Sequence, residues 1–173
     1  MRKRLIVICL LAVFMAAFIF CYLRINRLIP RPAVTMKAFG ETFQTMDGIE
    51  ISITGGRFLS GAEEKPPALA LPYSYRTYQA KLQLENPTDQ DASADISDVM
   101  IETDGYANGW VDCSGDTNLA LRPHEKQELM MAFQIIQQNF SPSAWTGIEK
   151  RNFWLTFGDY PEKTELQLPV PTA

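Results

Sequence analysis

The chain contains a single histidine, His124, and only three cysteines, Cys9, Cys21 and Cys113. This scarcity removes several chemistries at once. A structural zinc site needs paired Cys and His ligands, and no CxxC or His pair exists to supply them. Cys9 and Cys21 fall twelve residues apart in one apolar run. On a helix that separation is about 18 Å, too far for a disulfide. Cys113 stands alone in the rest of the chain, so no intrachain disulfide framework forms there; a lone thiol can bridge a second chain or pack as a small apolar side chain. No glycine-rich phosphate loop is present, because Gly55-Gly56 is too short and no helical pattern follows it. No nucleophile elbow accompanies His124, so a serine triad lacks its parts. The D-x-[DN]-x-[DN]-G run of an EF-hand is also missing. An enzyme is not expected.

Charge of one sign is missing in two stretches. Residues 1–32 have no Asp or Glu and carry Arg2, Lys3, Arg4, Arg24, Arg27 and Arg31. Residues 32–173 hold ten Lys and Arg against all twenty Asp and Glu, a net of −10. Within them, residues 86–121 have no Lys or Arg and carry Asp89, Asp91, Asp95, Asp98, Glu102, Asp104, Asp112 and Asp116. So acidic a region repels a polyanion, and nucleic acid is not an expected partner.

What the chain does have begins with Leu5–Leu23, LIVICLLAVFMAAFIFCYL, nineteen residues without a charge. As a helix they cover about 28 Å, close to a ~30 Å hydrocarbon core. The competing reading, a cleaved signal peptide, wants a small-x-small site after the run, and here Ile19-Phe20-Cys21-Tyr22-Leu23 leads straight into Arg24. An uncleaved single transmembrane anchor is therefore expected over residues 5–23. Residues 1–4 then form a basic cytoplasmic tip, residues 24–37 with Pro30 and Pro32 an extended stalk, and residues 38–173 one extracytoplasmic domain. Three cations flank each side of the run, but the short basic N-terminus and the acidic remainder place the C-terminal part outside the cytoplasm.

The periodicity of that domain is two. Ile49, Ile51 and Ile53 alternate with polar residues, as do Tyr78, Ala80, Leu82 and Leu84, then Leu129, Met131, Phe133 and Ile135, then Phe153, Leu155 and Phe157, and finally Leu166 and Leu168. Such runs predict strands with one buried face. Turn signals separate them at Met46-Asp47-Gly48, Asn86-Pro87-Thr88-Asp89, Gly105, Asn108-Gly109, Arg122-Pro123-His124 and Gly158-Asp159-Tyr160-Pro161. The expected fold is all-β, an antiparallel immunoglobulin-like β-sandwich behind the anchor. Residues 60–72 read as an exposed Pro-rich loop. Ser141-Pro142 reads as the N-cap and first position of one helical turn.

The strand ending KLQLENPTD, the stretch IETDGYANGW, the run LRPHEKQELMMAFQI and the segment NFWLTFGDYPEKTELQL resemble a family of uncharacterised, membrane-anchored extracytoplasmic proteins of Firmicutes. The resemblance spans nearly the whole chain. It implies an immunoglobulin-like sandwich behind an N-terminal anchor and transfers no active site. The family often has Gly after the Pro of its Leu-x-Pro-x-Glu turn, where this chain has His124.

Two candidate sites follow. Tyr106, Asn108 and Trp110 flank an apparent turn, and as exposed aromatics at a loop tip they would bind a glycan or protein; as core residues they would only pack. Asp104, Asp112 and Asp116 suit Ca²⁺ through clustered carboxylates. The same acidic segment could instead form a face for a basic partner, or be solvated strand edges that discourage pairing. The expected function is a membrane-anchored binding or accessory module with a protein partner, the alternative a ligand- or Ca²⁺-responsive sensor, and third an enzyme of unspecified type.

Overall fold

The computed structural model describes residues 2–28, 32–64, 73–158 and 162–170, and only the backbone of residues 2–10, 26, 28 and 62. It divides into two units, residues 1–32 and 33–173. The first is one helix, α1, Arg2–Leu28. Leu11, Phe14, Phe18, Phe20 and Leu23 are all exposed along it. Among the described residues, no helix is long and apolar enough to cross a membrane. The side chains of residues 5–10, the first part of the expected anchor, lie outside the described residues.

The second unit is a β-sandwich. Its strands are β1 (Ala33–Lys37), β2 (Thr42–Gln44), β3 (Glu50–Phe58), β4 (Tyr75–Glu85), β5 (Ala92–Asp95), β6 (Met100–Thr103), β7 (Tyr106–Cys113), β8 (Asn118–Leu121), β9 (Lys126–Ile136), β10 (Trp154–Phe157) and β11 (Glu162–Gln167). One continuous ladder runs β1-β11-β10-β6-β7-β9-β4-β3-β2, and β5 pairs with β8 separately. The first half of β7 pairs with β6 and the second half with β9, with a register shift between Trp110 and Asp112. β7 therefore belongs to both layers, and the ladder folds over at its bulge, as bulges re-aim strands. The alternating residues read from the sequence fill the space between the layers. Ile51, Ile53, Leu82, Leu84, Leu129, Met131, Phe133 and Ile135 meet Ile101, Leu155, Phe157 and Leu166 in one core, with Leu119 and Leu121 of β8.

Two expectations on the chain's course are corrected. The stalk was placed over residues 24–37, but α1 continues to Leu28 and residues 33–37 are β1. β1 hid from the periodicity because it buries no face: Ala33 to Met36 are all exposed. Among the described residues it is a sheet edge that pairs with β11. That pairing is parallel, Ala33 beside Glu162 through Lys37 beside Leu166, so the sandwich is not wholly antiparallel. The expected turn at Asn108-Gly109 is strand. The chain reverses at Asp104-Gly105, whose φ values of 35° and 81° are both positive, as a two-residue hairpin of right-handed strands requires. Thr103 pairs with Tyr106 across it.

The turn that follows β4 is built on Asn86. Asn86 is fully buried. Its Nδ2 lies 2.7 Å from the Gln90 carbonyl oxygen and 3.1 Å from those of Leu121 and Arg122, and donates to them. Its Oδ1 accepts from the Thr88 backbone N–H at 3.1 Å and hydroxyl at 2.7 Å. The Asn86 N–H donates to Glu125 O, and His124 N–H to Asn86 O. One carboxamide thus joins the turn after β4 to the turn before β9. His124 holds φ 60° there, in the left-handed region that glycine adopts most readily. Its ring lies 3.0 Å from Asp89, exposed as expected.

Residues 65–72 of the expected Pro-rich loop and 159–161 of the last turn lie outside the described residues. The loop's first part is a 3₁₀ turn, Gly61–Glu63, pinned by paired hydrogen bonds of 2.8 Å from Arg57 to Glu63. Those bonds, with the Ser60 N–H, hold the Glu63 carboxyl down at about 2. The Ser141 N-cap forms as expected over α2, Pro142–Thr146, its hydroxyl accepting from the Ala144 N–H.

Gly55-Gly56, excluded above as a phosphate loop, directly follows the bulge of β3 against β4, which lies between Ile53 and Gly55. A Cβ on Gly56 would lie 2.5 Å from the Tyr78 hydroxyl and 2.8 Å from its ring. Tyr78 cannot yield, being buried among Phe58 and Phe153 and donating to Pro169 O at 3.0 Å. Gly56→Ala should therefore lower stability by about 1–3 kcal/mol through overpacking. Gly109→Ala, with nothing within 4 Å, should change it far less. Urea unfolding of the two variants checks this, and equal midpoints would refute it.

Candidate functional site

The structure does not make Tyr106, Asn108 and Trp110 a binding patch at a loop tip. All three lie in β7. Tyr106 is buried, and its hydroxyl donates to Gln134 O at 2.8 Å while accepting from the Ile136 N–H at 3.3 Å. Burial pushes its phenol above the ordinary value, against the smaller opposing effect of hydrogen bonds from the Ile136 N–H and the Asn108 side chain. Asn108 Nδ2 donates to the same Gln134 O at 2.6 Å. Tyr106 and Asn108 therefore fasten β7 to β9 just before β7 changes layers. Trp110 is half-buried against the core, and its indole N–H donates to Ser97 O at 2.7 Å.

The three candidate metal ligands do not converge. Asp104 sits in the β6–β7 turn and pairs with Arg151 at 3.2 Å. Asp112 is near the other end of β7, eight residues on and about 26 Å away along an extended strand. Asp116 accepts from the Asn118 N–H at 2.9 Å, closing its own turn. Among the described residues, no three Asp, Glu, His or Cys side chains could hold a metal ion. The Ca²⁺ reading of Asp104, Asp112 and Asp116 is corrected accordingly.

What the sequence did not show is a groove of about 410 Å³ at the end of the sandwich. One wall is the β2–β3 hairpin with Phe43, Met46 and Asp47, another the loop from Asp95 to Val99, and a third Phe157, Gly158 and Glu162. Each wall is fixed locally. The Thr45 N–H donates to Ile49 O, and the Gly48 N–H to Thr45 O, so the fully exposed Met46 and Asp47 stand at a closed tip. Asp95 accepts from the Ser97 N–H at 2.9 Å, which holds its carboxyl below its ordinary value. Ile96 and Val99 are buried on either side, and Trp110 grips Ser97 between them. Phe43 meets Phe157 with ring centres 5.5 Å apart, closing the floor between the layers. Trp110, singled out as a contact residue, instead positions one wall.

The charge lining this groove is of one sign. Several carboxylates elsewhere find cations: Glu85 with Lys126, Glu128 with Lys81, Glu149 with Arg76, and Glu102 and Glu165 together on Lys163. Burial works against the Lys163 ammonium, but those two carboxylates outweigh it and raise it above its ordinary value. Asp47, Asp95, Asp98 and Glu162 line the groove with no Lys, Arg or His among its described lining residues.

Comparison with known proteins adds the fold. No protein family matches the chain, and no curated protein matches it. A secreted protein of Mycobacterium tuberculosis is similar in structure, with a TM-score of 0.52 at 10% identity, over 78% of this chain and 95% of that one. An uncharacterised β-sandwich protein of Clostridium difficile has a TM-score of 0.48 at 13% identity, over 81% and 97%. A candidate lipoprotein of Bacillus subtilis has 0.49 at 10%, over 78% of this chain and 39% of that chain. At such identity the mycobacterial likeness concerns the fold alone.

Tyr106→Phe should cost about 1–2 kcal/mol, because the Ile136 N–H is left without its acceptor. Thermal unfolding measures the loss. A variant as stable as the parent would show that the hydroxyl does not fasten β7 to β9.

Proposed function

We propose that this protein is a membrane-anchored, extracytoplasmic binding module of immunoglobulin-like architecture that works by recognising a protein at the cell surface. The observation that carries the reading is the groove, where the carboxylates of Asp47, Asp95, Asp98 and Glu162 surround an apolar floor. Unpaired like charges around apolar surface cost the isolated protein stability, and a complementary partner recovers it. The anchor rests on the uncharged run Leu5–Leu23 and the cations on both sides of it. The extracytoplasmic side rests on the short basic N-terminus and the acidic remainder, and the mycobacterial protein of similar fold is secreted. The module acts by binding and uses no nucleic acid.

Whole cells test this directly. A reporter that works only outside the cytoplasm, fused after Ala173, should be active, and the chain should stay with membranes through an alkaline wash. A photoreactive residue at Met46 or at the exposed Val111 should form a protein adduct on intact cells. A washed-off chain, a reporter active only inside, or no protein adduct from either position would contradict the reading.

A further inference from the structure

We infer that the end groove takes a segment of a partner protein that carries lysine or arginine next to apolar side chains. This rests on the binding-module reading above and specifies its ligand.

Four observations converge. The rim carries Asp47, Asp95, Asp98 and Glu162, drawn from three separate parts of the chain. Chance acidic neighbours in one loop do not account for that arrangement. The floor is apolar, with Phe43, Ala94, Ile96, Val99 and Phe157. The volume of about 410 Å³ is that of a site for a few side chains. Finally, the walls belong to a hairpin tip and a braced loop, whose hydrogen bonds to Ile49, Ser97 and Trp110 hold their shape before a partner arrives.

Other occupants fit less well. A divalent cation needs converging ligands, and among the described residues no such group exists. A neutral apolar ligand would desolvate the rim carboxylates and offer them nothing in return. Nucleic acid and anionic lipid would be repelled. A lysine or arginine answers both features, because its methylene stem lies on apolar surface while its charge reaches a carboxylate at the edge. The neighbouring apolar residues of the same segment then cover the floor. Trp110 acts through the loop it holds and is a positioning residue.

The geometry places the groove at the end of the domain where β1 begins, since Ala33 pairs with Glu162 on its rim.

The test uses the purified full chain in neutral detergent and three synthetic peptides, one alternating lysine with leucine, one lysine with serine and one glutamate with leucine. Only the lysine–leucine peptide should bind well by fluorescence anisotropy. Asp47→Asn combined with Asp98→Asn should weaken it by about tenfold, and so should high salt, because rim charges are screened. Phe43→Ser should weaken it at unchanged salt dependence. Circular dichroism confirms that each variant is folded, and a second floor variant, Val99→Ala, replaces Phe43→Ser if that one is not. Equal binding of the lysine–serine peptide would mean a diffuse charge field, and equal binding of the glutamate–leucine peptide a merely sticky surface. Either result, or no lysine–leucine binding, overturns the inference. An adduct from Val111 on cells without one from Met46 would leave the binding-module reading standing and remove the groove from it.

Discussion

The buried carboxamide of Asn86 is the interaction on which the rest of this domain depends. It lies where the longest ladder ends: β4 and β9 pair along their whole lengths, from Tyr75 with Ile136 to Glu85 with Lys126. In such a ladder a slip of one residue would turn Tyr78, Ala80, Leu82 and Leu84 outward together. Asn86 forbids the slip, because its donors and acceptor are matched to carbonyls and a turn on both sides of the ladder. At the other end, the Gln137 N–H donates to Ser74 O, and Tyr106 binds Gln134 O. With its register fixed at both ends, β9 serves as the rail on which β7 crosses from one layer to the other.

That frame decides where charge can gather. The β2–β3 tip, the loop from Asp95 to Val99 and the β10–β11 end belong to different parts of the two layers, and they meet because the ladder folds over at the β7 bulge. The acidic segment that looked uniform in sequence is not uniform in space. Its carboxylates at Glu102 and Asp104 are answered by Lys163 and Arg151 from the far end of the chain. Asp95 and Asp98 are turned instead to the groove. Net charge of one sign favours solubility in general, and local imbalance steers partners.

The sequence made the core legible because the layers bury one face of each long strand, so Ile49, Leu82, Met131 and Leu155 announced themselves by alternation. Ser141 was equally plain, since an N-cap is a local event. β1 was not, because an exposed edge strand has no buried face to alternate. Two turn signals competed within a few residues, and Asp104-Gly105 prevailed over Asn108-Gly109 because it leaves the Asn108 side chain facing Gln134 O. Tyr106, Asn108 and Trp110 lie in a strand and not at a loop tip, with side-chain bonds to Gln134 O and Ser97 O. The groove could not be read, since Phe43 to Asp47, Ala94 to Val99, Phe157, Gly158, Glu162 and Thr164 are brought together only by the folded sheets. The one faint signal was Asp95-Ile96-Ser97-Asp98-Val99, where acidic residues alternate with apolar ones over a span too short and irregular for a strand.

The central claim is that Asn86 fixes the β4–β9 register, and urea unfolding of Asn86→Asp tests it most directly. The substitution keeps size and shape and sets a carboxylate oxygen against the carbonyls of Gln90, Leu121 and Arg122. The predicted result is a loss of about 3–5 kcal/mol, as for a buried polar group deprived of its partners and charged. A midpoint within about 0.5 kcal/mol of the parent protein, the range of an ordinary surface change, would contradict the account.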